Sequence, residues 1–443
     1  MNKVFLISLA AVLAISVGLV GCTGAAGGGP YNHSVSNLGD AGIISNCITS
    51  PHSEPIAPVY IDVLNDAGGI LVDGSYFEPE LYMYCDSGDP DVSVANTYKA
   101  IDDIEDGDVG AIWSGGSSPL LAAQAPITNA NGGVLMAFDA GASFFRTDPT
   151  KLPSWPYVFM HMSSSDWYQI PVLAKTLADE GATTAYICYE NDDNGAEYIA
   201  TAATSFTVEG ITIVGNQSVL ATDPSFDPDA LITAMNATNP DVVCLFCHPE
   251  EVLAITTAAI DRAFNVGAWV VGLGGNYGWF AGPDGVGDAA EDIICFATAN
   301  NKTSTDMEWL FNDVLEPELG FEDLDFWGSP LYWAAMQMWQ NAIEAVGTVN
   351  ANGFPEIDQD EFRDELASYN SYANGVDTVL GRTWYTMFGD GGGILAYECH
   401  TGEIGQWRNG YVEIVGYAGI ATDLPNYAVT ASFNYPKAAW PTP

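Results

Sequence analysis

The loop at residues 114–118 carries the clearest binding chemistry in the sequence, because it reads Ser-Gly-Gly-Ser-Ser between a predicted strand and a predicted helix. A glycine such as Gly116 lets a ligand approach the backbone closely, and the hydroxyl groups of Ser114 and Ser117 can bond a carboxylate or a carbonyl. Backbone N–H groups at the start of a helix add to such a site. The alternative is a plain strand-to-helix connection with serine caps.

Catalytic and metal-binding motifs are weaker. Cys244 and Cys247 form a CxxC pair, but no second pair and no suitably spaced histidine pair accompany it, and the 5 histidines are scattered. Glu190 opens a stretch that resembles a calcium loop, yet Thr201 stands where a bidentate carboxylate is needed. No HExxH, GxSxG or Walker sequence is present. The sequence predicts no metal, no cofactor and no enzyme, with a hydrolase as the less favoured alternative.

The elements that must position these residues alternate between helices and strands. Apolar residues at helical spacing, bounded by proline and glycine, indicate helices, and short apolar runs indicate strands. The β-α-β-α-β order predicts a parallel sheet with helices on both faces. The predicted elements of the first unit are helix 55–67, strand 81–84, a helix with Val94, Tyr98, Ile101 and Ile104 on its buried side, strand 109–113, a helix to residue 129 and strand 134–138.

The same alternation restarts after Pro156 and predicts a second α/β unit. After the leader about 410 residues remain, which is more than one core usually holds, so two lobes are expected. The predicted elements that follow are a helix ending at 181, strand 184–189, helix 196–209, strand 211–214, helix 228–237, strand 242–246, helix 250–263, strand 269–273, helices at 307–315 and 332–346, and a hairpin-like stretch at 393–397 and 406–415 with an Asn409-Gly410 turn.

The N-terminus has the layout of an export signal. A short basic start precedes an apolar run from Val4 to Val20, and Gly21-Cys22 then resembles a lipoprotein cleavage box. Residues 1–22 are therefore predicted to be a lipoprotein signal peptide, with Cys22 as the lipidated new N-terminus and residues 23–35 as a flexible tether. An ordinary transmembrane anchor is the alternative, although the apolar run is short for a span.

Charge and cysteine content describe the surface and the compartment. The chain holds 57 acidic against 11 basic side chains, a formal net charge of −46. Such a surface suits a salt-rich habitat, and it argues against nucleic acid and an anionic membrane face as partners. Of the 8 cysteines, those after Cys22 are odd in number. Because disulfides form outside the cytoplasm, an exported chain can hold one, such as Cys47 with Cys85. The odd number means that at least one thiol stays free.

Several short motifs occur in the order and spacing of a known family. Over residues 55–417 the sequence resembles the type I periplasmic solute-binding proteins of the branched-chain amino acid (Leu/Ile/Val) group. The motifs that carry this resemblance are Leu64-Asn65-Asp66-Ala67-Gly68-Gly69-Ile70, Asp86-Ser87-Gly88-Asp89-Pro90, Ser114-Gly115-Gly116, Glu190 to Glu197, Phe226-x-Pro228, Asn239-Pro240-Asp241-Val242-Val243 and Gln406-Trp407-x-x-Gly410.

The resemblance implies the type I periplasmic binding protein fold, with two doubly wound parallel-sheet lobes joined by a three-crossover hinge. It also implies that Ala142 and Ser143 bind the ligand head group together with the loop at 114–118. The implied segments are 36–157 plus 298–378 for lobe one, 158–297 plus 379–425 for lobe two, and 426–443 for a C-terminal tail.

The second lobe departs from the family pattern at the ligand site. Asn194 stands where an aromatic residue usually precedes the glycine, and His248 lies near a second aromatic position. The loop that contains Asn276 and Tyr277 lacks the acid that family members place opposite an ammonium group. These residues are nevertheless the predicted second-lobe contacts. The aromatic residues that could line the cleft are Trp113, Trp167, Tyr168, Tyr277, Trp279 and Trp327.

These features together predict an extracytoplasmic, lipid-anchored solute-binding protein. It would capture a small polar solute, such as an amino acid or an amide, in an interlobe cleft and deliver it to the permease subunits of an ABC importer. The resemblance implies that such a protein catalyses no reaction. The alternative is a ligand-sensing receptor or regulatory module of the same fold without transport. The sequence leaves the identity of the solute open.

Overall fold

Two seven-stranded sheets, each with helices on its faces, form the body of the protein. The computed structural model describes residues 41–45, 53–86, 89–105, 110–114, 118–138, 155–161, 169–388, 392–399, 403–416 and 428–441. Within these ranges, no helix combines the length and the apolar character that crossing a membrane requires.

The first sheet is mostly parallel. Its strands in spatial order are β17 (Tyr385–Phe388), β18 (Gly392–Leu395), β7 (Val158–Met160), β6 (Leu135–Ala137), β5 (Ile112–Ser114), β1 (Ala41–Ser45) and β4 (Leu81–Cys85). Only β17 runs antiparallel to its neighbour. The chain order reverses between β1 and β5, so the switch point of this doubly wound sheet lies between these two strands.

The second sheet repeats this plan. Its strands in spatial order are β20 (Tyr411–Val415), β19 (Ile404–Arg408), β12 (Ile294–Phe296), β11 (Ala268–Val271), β10 (Val242–Phe246), β8 (Thr184–Glu190) and β9 (Thr212–Val219). The strands from β9 to β12 are parallel, whereas β19 and β20 form an antiparallel hairpin with the predicted Asn409-Gly410 turn. The predicted doubly wound parallel arrangement is therefore present in both lobes, with antiparallel strands added at one edge of each sheet. The switch point lies between β8 and β10.

Helices cover both sheets, and smaller elements decorate their edges. Aspartates at the N-cap begin several of the helices, because their carboxylates accept first-turn N–H groups, as Asp192 does from Gly195. The helices are α1 (Ser53–Asp66), α2 (Pro90–Glu105), α3 (Ser118–Asn131), α4 (Ile170–Asp179), α5 (Asp193–Val208), α6 (Pro228–Thr238), α7 (Pro249–Asp261), α8 (Thr305–Glu308, π-helical Trp309–Leu315 and Glu316–Leu319), α9 (Gly328–Val346) and α10 (Gln359–Ser368). The two-stranded sheets pair β2 (Ile70–Val72) with β3 (Ser75–Phe77), β13 (Thr348–Val349) with β14 (Pro355–Glu356) and β15 (Val376–Thr378) with β16 (Gly381–Thr383).

The sheets divide the chain differently from the predicted lobe boundaries at two places. The prediction assigns residues 158–160 and 385–395 to lobe two, but β7, β17 and β18 belong to the first sheet. β7 lies between β6 and β18 and is hydrogen-bonded to both strands in parallel. The first sheet therefore includes strands beyond the predicted boundary. The chain passes between lobes after β7, after β12 and after β18.

The C-terminal segment 428–441 is packed along lobe two. The indole of Trp440 is buried edge-on against Trp269, with ring centroids 5.7 Å apart, and its Nε1 donates to the carbonyl of Phe264. Asn434 donates to both carboxylate oxygens of Asp292 at 3.0 Å. The segment starts beside β20, where Thr430 is bonded to Ile414, and residues 434–440 then follow the amino-end edge of the sheet, beside Asp292 before β12 and Trp269 in β11. We call it the C-terminal strap.

Cysteines in the described residues are mostly buried thiols. Cys85 is disulfide-bonded. Its predicted partner, Cys47, lies outside the described residues. Burial raises the pKa of the Cys244 thiol above its usual range, so it stays protonated. The free buried thiols are Cys188, Cys244, Cys247, Cys295 and Cys399.

Candidate functional site

Both switch points lie at the carboxyl ends of parallel strands, where loops and helix starts supply ligand groups in doubly wound sheets. Ser114 is the last residue of β5, and Glu190 is the last residue of β8. The helices that follow these strands, α3 in the first lobe and α5 in the second, contact each other. The two switch points therefore border the same interlobe region.

The first-lobe side of this region contains one of the predicted contacts. Ser114 is 1% exposed, and its carbonyl accepts a hydrogen bond from the N–H of Phe138 at 3.0 Å, which joins the ends of β5 and β6. The other predicted first-lobe contacts lie outside the described residues, as does the predicted lipidation site. These residues are Gly116, Ser117, Ala142, Ser143 and Cys22.

A buried histidine at the end of β7 joins this edge and was not among the predicted site residues. The Nε2 atom of His161 is hydrogen-bonded to the hydroxyl of Tyr385, and its Nδ1 has no partner. Burial lowers the pKa of His161 to about 3, so the imidazole is neutral in the folded protein. Its sequence signal is a polar residue directly after a short apolar run.

The second-lobe side carries Asn194 and His248, whose binding of a ligand stays a prediction, together with carboxylates that the prediction omits. Asn194 is half-buried in the first turn of α5, where Gly195 packs on the end of β8; a Cβ at Gly195 would lie 2.0 Å from the carbonyl of Glu190. His248 precedes α7, and its Nε2 lies 3.4 Å from Asp192 Oδ2. The backbone N–H of His248 donates to Glu190 Oε2 at 3.3 Å.

Hydrogen bonds and nearby charges set the pKa values of His248 and Asp192. Burial opposes protonation of His248, but its hydrogen bond to Asp192 and the nearby negative charges outweigh burial and raise its pKa. Burial likewise opposes ionisation of Asp192, but hydrogen bonds from His248 and Gly195 outweigh it and lower the pKa of Asp192. The pair is therefore a charge-assisted contact at the mouth of the second switch point.

Asn276 and Tyr277 lie in the loop after β11, and both are buried, with exposures of 0% and 4%. The Asn276 amide donates to Asp325, and the carbonyl of Asn276 accepts from the N–H of Phe326 at 3.1 Å. Tyr277 forms an isolated β-bridge with Asp325. This loop therefore ties the second sheet to the segment that returns the chain to lobe one. Ligand binding by these two residues stays a prediction.

The aromatic residues have different environments. Trp327 is buried at the start of α9, its ring lies 6.3 Å from that of Phe296, and its Nε1 has no partner. Trp113 is a core residue that packs edge-on against Trp339 at 4.9 Å, so its predicted place in the cleft lining is corrected. Trp279 is partly buried beside Tyr277. Trp167 and Tyr168 lie outside the described residues.

The residues that sequence reasoning missed in the second lobe are Glu190, Asp192 and Glu251. Glu190 ends β8, Asp192 is the N-cap of α5 and Glu251 lies in the first turn of α7, so an acid at the end of a strand or the start of a helix is the available sequence signal. Glu190 and Asp192 entered the prediction as part of a family motif, and Glu190 also as the start of a rejected calcium loop, but not as site residues. Among the described residues, no group of three or more His, Cys, Asp or Glu side chains is arranged to hold a metal ion.

Comparisons with known proteins agree on one family. Residues 51–388 match the family model described as periplasmic binding protein. No curated protein matches the sequence. Among solved structures, the leucine-binding protein LivK from Thermotoga maritima is 16% identical with a TM-score of 0.66, and the match covers 85% of this chain and 97% of that chain.

Two further solved structures are similar. The branched-chain amino acid transporter substrate-binding protein LivJ from Streptococcus pneumoniae, in complex with isoleucine, is 18% identical with a TM-score of 0.65, covering 84% of this chain and 97% of that one. A solute-binding protein of an ABC transporter from R. palustris, in complex with 4-hydroxybenzoate, is 15% identical with a TM-score of 0.64, covering 85% and 95%. At these identities the likeness concerns the fold.

Proposed function

Because the chain belongs to the periplasmic binding protein family, we propose that it captures a small polar solute outside the cytoplasm and delivers it to the permease subunits of an ABC importer. The observation that carries this proposal is the pair of doubly wound sheets whose switch points border one interlobe region. A solute held there would contact both lobes and favour a closed arrangement by a hinge motion of the crossovers.

The proposed site combines hydroxyl and amide groups of the first lobe with polar groups of the second. On the first lobe these are Ser114, Gly116, Ser117, Ala142 and Ser143, which would bind a carboxylate or carbonyl. On the second lobe they are Asn194, His248, Asn276 and Tyr277, with Trp327 as an aromatic wall. Solved proteins of similar fold hold isoleucine or 4-hydroxybenzoate, so small carboxylates of both kinds are the first solutes to test.

The proposed anchor is a lipid on Cys22. Its support is the leader, in which an apolar run ends in Gly21-Cys22. Labelling of the expressed protein with a radioactive fatty acid tests this directly. Wild type should incorporate label and Cys22→Ser should not; equal labelling of both would contradict the anchor.

Calorimetric titration of the full chain with amino acids, amides, small carboxylates and aromatic acids tests solute capture. One class of solute should bind in the titration. The same class should raise the melting temperature of the protein, because a ligand of the folded state stabilises it by mass action. A well-folded sample that binds none of them contradicts the proposed function. Uptake of the identified solute by cells with and without the gene then separates transport from sensing, because a sensor of this fold would bind the solute without changing its uptake.

A further inference from the structure

Four ionisable side chains meet at the switch point of the second sheet, and we call them the acidic cluster: Glu190, Asp192, His248 and Glu251. Glu190 ends β8, and Glu251 lies in the first turn of α7, just beyond β10. These two glutamates are 1% and 3% exposed. Asp192 and His248 are less buried, with 27% of each side chain exposed, so the cluster opens toward solvent on their side.

Each buried glutamate uses only one carboxylate oxygen. Glu190 Oε2 accepts from the N–H of His248, and Glu251 Oε1 accepts from the N–H of Ala221. Glu190 Oε1 and Glu251 Oε2 have no hydrogen-bond partner. Because a buried carboxylate oxygen without a donor is costly, these two atoms indicate missing hydrogen-bond donors.

No lysine or arginine of the described residues forms an ion pair with these glutamates. Those that form ion pairs do so with other acids, as Arg408 does with Asp292. Lys99 and Lys437 lie over aromatic rings. The cluster is also not arranged to hold a metal ion. The remaining ion pairs are Lys175 with Asp179, Arg262 with Asp229, Lys302 with Glu413, Arg363 with Asp360 and Asp364, and Arg382 with Asp377.

A proton is the alternative neutralising cation. Burial, and then the charge of Glu251, raises the pKa of Glu190 to about 7, although His248 partly offsets this effect. Asp192 adds to the negative charge, and burial keeps the adjacent Cys247 thiol protonated. Near neutral pH the glutamate pair can therefore exchange a proton for another cation.

We propose that the acidic cluster binds a cationic nitrogen of the solute, and that this nitrogen carries N–H groups, as in a primary ammonium or guanidinium group. This inference rests on the proposed function. The unpartnered oxygens need hydrogen-bond donors, which a quaternary ammonium group does not supply. The counter-ion then comes from β8 and α7, instead of from the loop after β11, which has no carboxylate at Asn276 or Tyr277.

Calorimetric titration of the full chain at pH 8 tests this inference with five probes. Putrescine, agmatine and L-leucine carry N–H cations, choline carries a cation without N–H groups, and 4-hydroxybenzoate carries none. Wild type should bind at least one of the first three and should not bind choline. Glu190→Gln and Glu251→Gln should each weaken that binding by about tenfold or more. Glu250→Gln, an exposed neighbour in the same helix turn, should leave it unchanged.

The pH dependence of wild-type binding supplies a readout that needs no variant. Below pH 7 a proton must leave Glu190 before the cation binds. The affinity for the cation should therefore fall by about tenfold for each unit by which the pH is lowered. Protonation of His248 acts in the same direction. The Glu190→Gln variant should show a flatter profile.

The outcomes separate this inference from the proposed function. Unchanged affinity in both glutamine variants, or choline binding as tight as agmatine binding, would overturn the cluster's role while solute capture stands. Binding of 4-hydroxybenzoate alone would do the same. Absence of binding by all five probes also overturns the inference, and the broader solute panel then decides the proposed function.

Discussion

Replacing Asp292 with alanine should release the C-terminal strap from lobe two and destabilise the protein. Asp292 is 3% exposed and lies just before β12. Its carboxylate pairs with the guanidinium of Arg408 and accepts hydrogen bonds from Asn434 and from the N–H of Ala438 at 3.0 Å. One side chain therefore holds together the β12 entry, the β19 end and the strap.

The size of the effect follows from what the substitution leaves behind. The Arg408 side chain is 17% exposed, so removal of its acid leaves a largely buried charge that keeps a hydrogen bond to Gln406 but has no acidic partner. Breaking a buried ion pair in this way costs about 3–5 kcal/mol. Asn434 and Ala438 are exposed, so water can replace their lost bonds and they add little. Asp292→Asn keeps the shape and should cost less, about 1–3 kcal/mol.

Urea unfolding of the full chain measures this effect, with Asp288→Ala as the matched control. Asp288 is exposed in the same segment, so its substitution should change the free energy of unfolding by less than about 0.5 kcal/mol. Solute affinity should not change in Asp292→Ala, because Asp292 and the strap residues that it bonds, Asn434 and Ala438, lie at the amino-end edge of the sheet. A destabilisation no larger than that of the control would refute the assignment of Asp292 as the residue that fastens the strap.

Three further predictions concern the interlobe segment, a buried histidine and the thiols. Asp325→Ala should lower the free energy of unfolding by about 2–4 kcal/mol, because the Asp325 carboxylate accepts hydrogen bonds from the Asn276 amide and from the N–H groups of Trp327 and Gly328 at the start of α9. Glu322→Ala, at an exposed position, is the control. Equal urea midpoints of the two variants would contradict this role of Asp325. His161 has its pKa lowered to about 3, so only the unfolded state gains its proton between pH 6.5 and 3, and stability falls as pH falls. Between pH 6.5 and 3 the free energy of unfolding of His161→Gln, measured by urea titration, should therefore fall by up to about 4 kcal/mol less than that of wild type. If the free energies of both proteins fell in parallel with pH, a buried neutral imidazole would be excluded. Iodoacetamide mapping by mass spectrometry should find the buried free thiols unlabelled until urea is added, and native labelling would contradict their burial. These thiols are Cys188, Cys244, Cys247, Cys295 and Cys399.

The predicted family and the predicted type I periplasmic binding protein fold are confirmed by the family match and the similar structures. Elements with a strong periodic signal were predicted closely: strand 242–246 coincides with β10, and helix 55–67 lies within two residues of α1. Shorter or more polar elements were missed. The strand β7 has three residues, and α10 buries only Phe362 and Leu366, so neither offers enough apolar spacing.

The candidate site could be predicted in part. Asn194 and His248 were predicted from the family resemblance, which places them at two second-lobe contact positions, and both lie close to the ends of buried strands. Glu190 was not identified as a site residue, because its unpartnered oxygen results from burial together with Glu251, which is distant in sequence. Nor does the sequence indicate that the Asn276 amide is bonded to Asp325. Such contacts depend on which loops meet, and this is decided by strand pairing.

The sequence by itself determined the alternation of helices and strands, the two-lobe class and the strongly acidic surface. These properties follow from composition and local spacing, which need no knowledge of distant partners. The tertiary structure alone decided which strands join each sheet, where β17 and β18 pair, and which charges share the second switch point. The physical reason is that register, burial and the loss of solvent around Glu190 and Glu251 arise only when remote segments pack together.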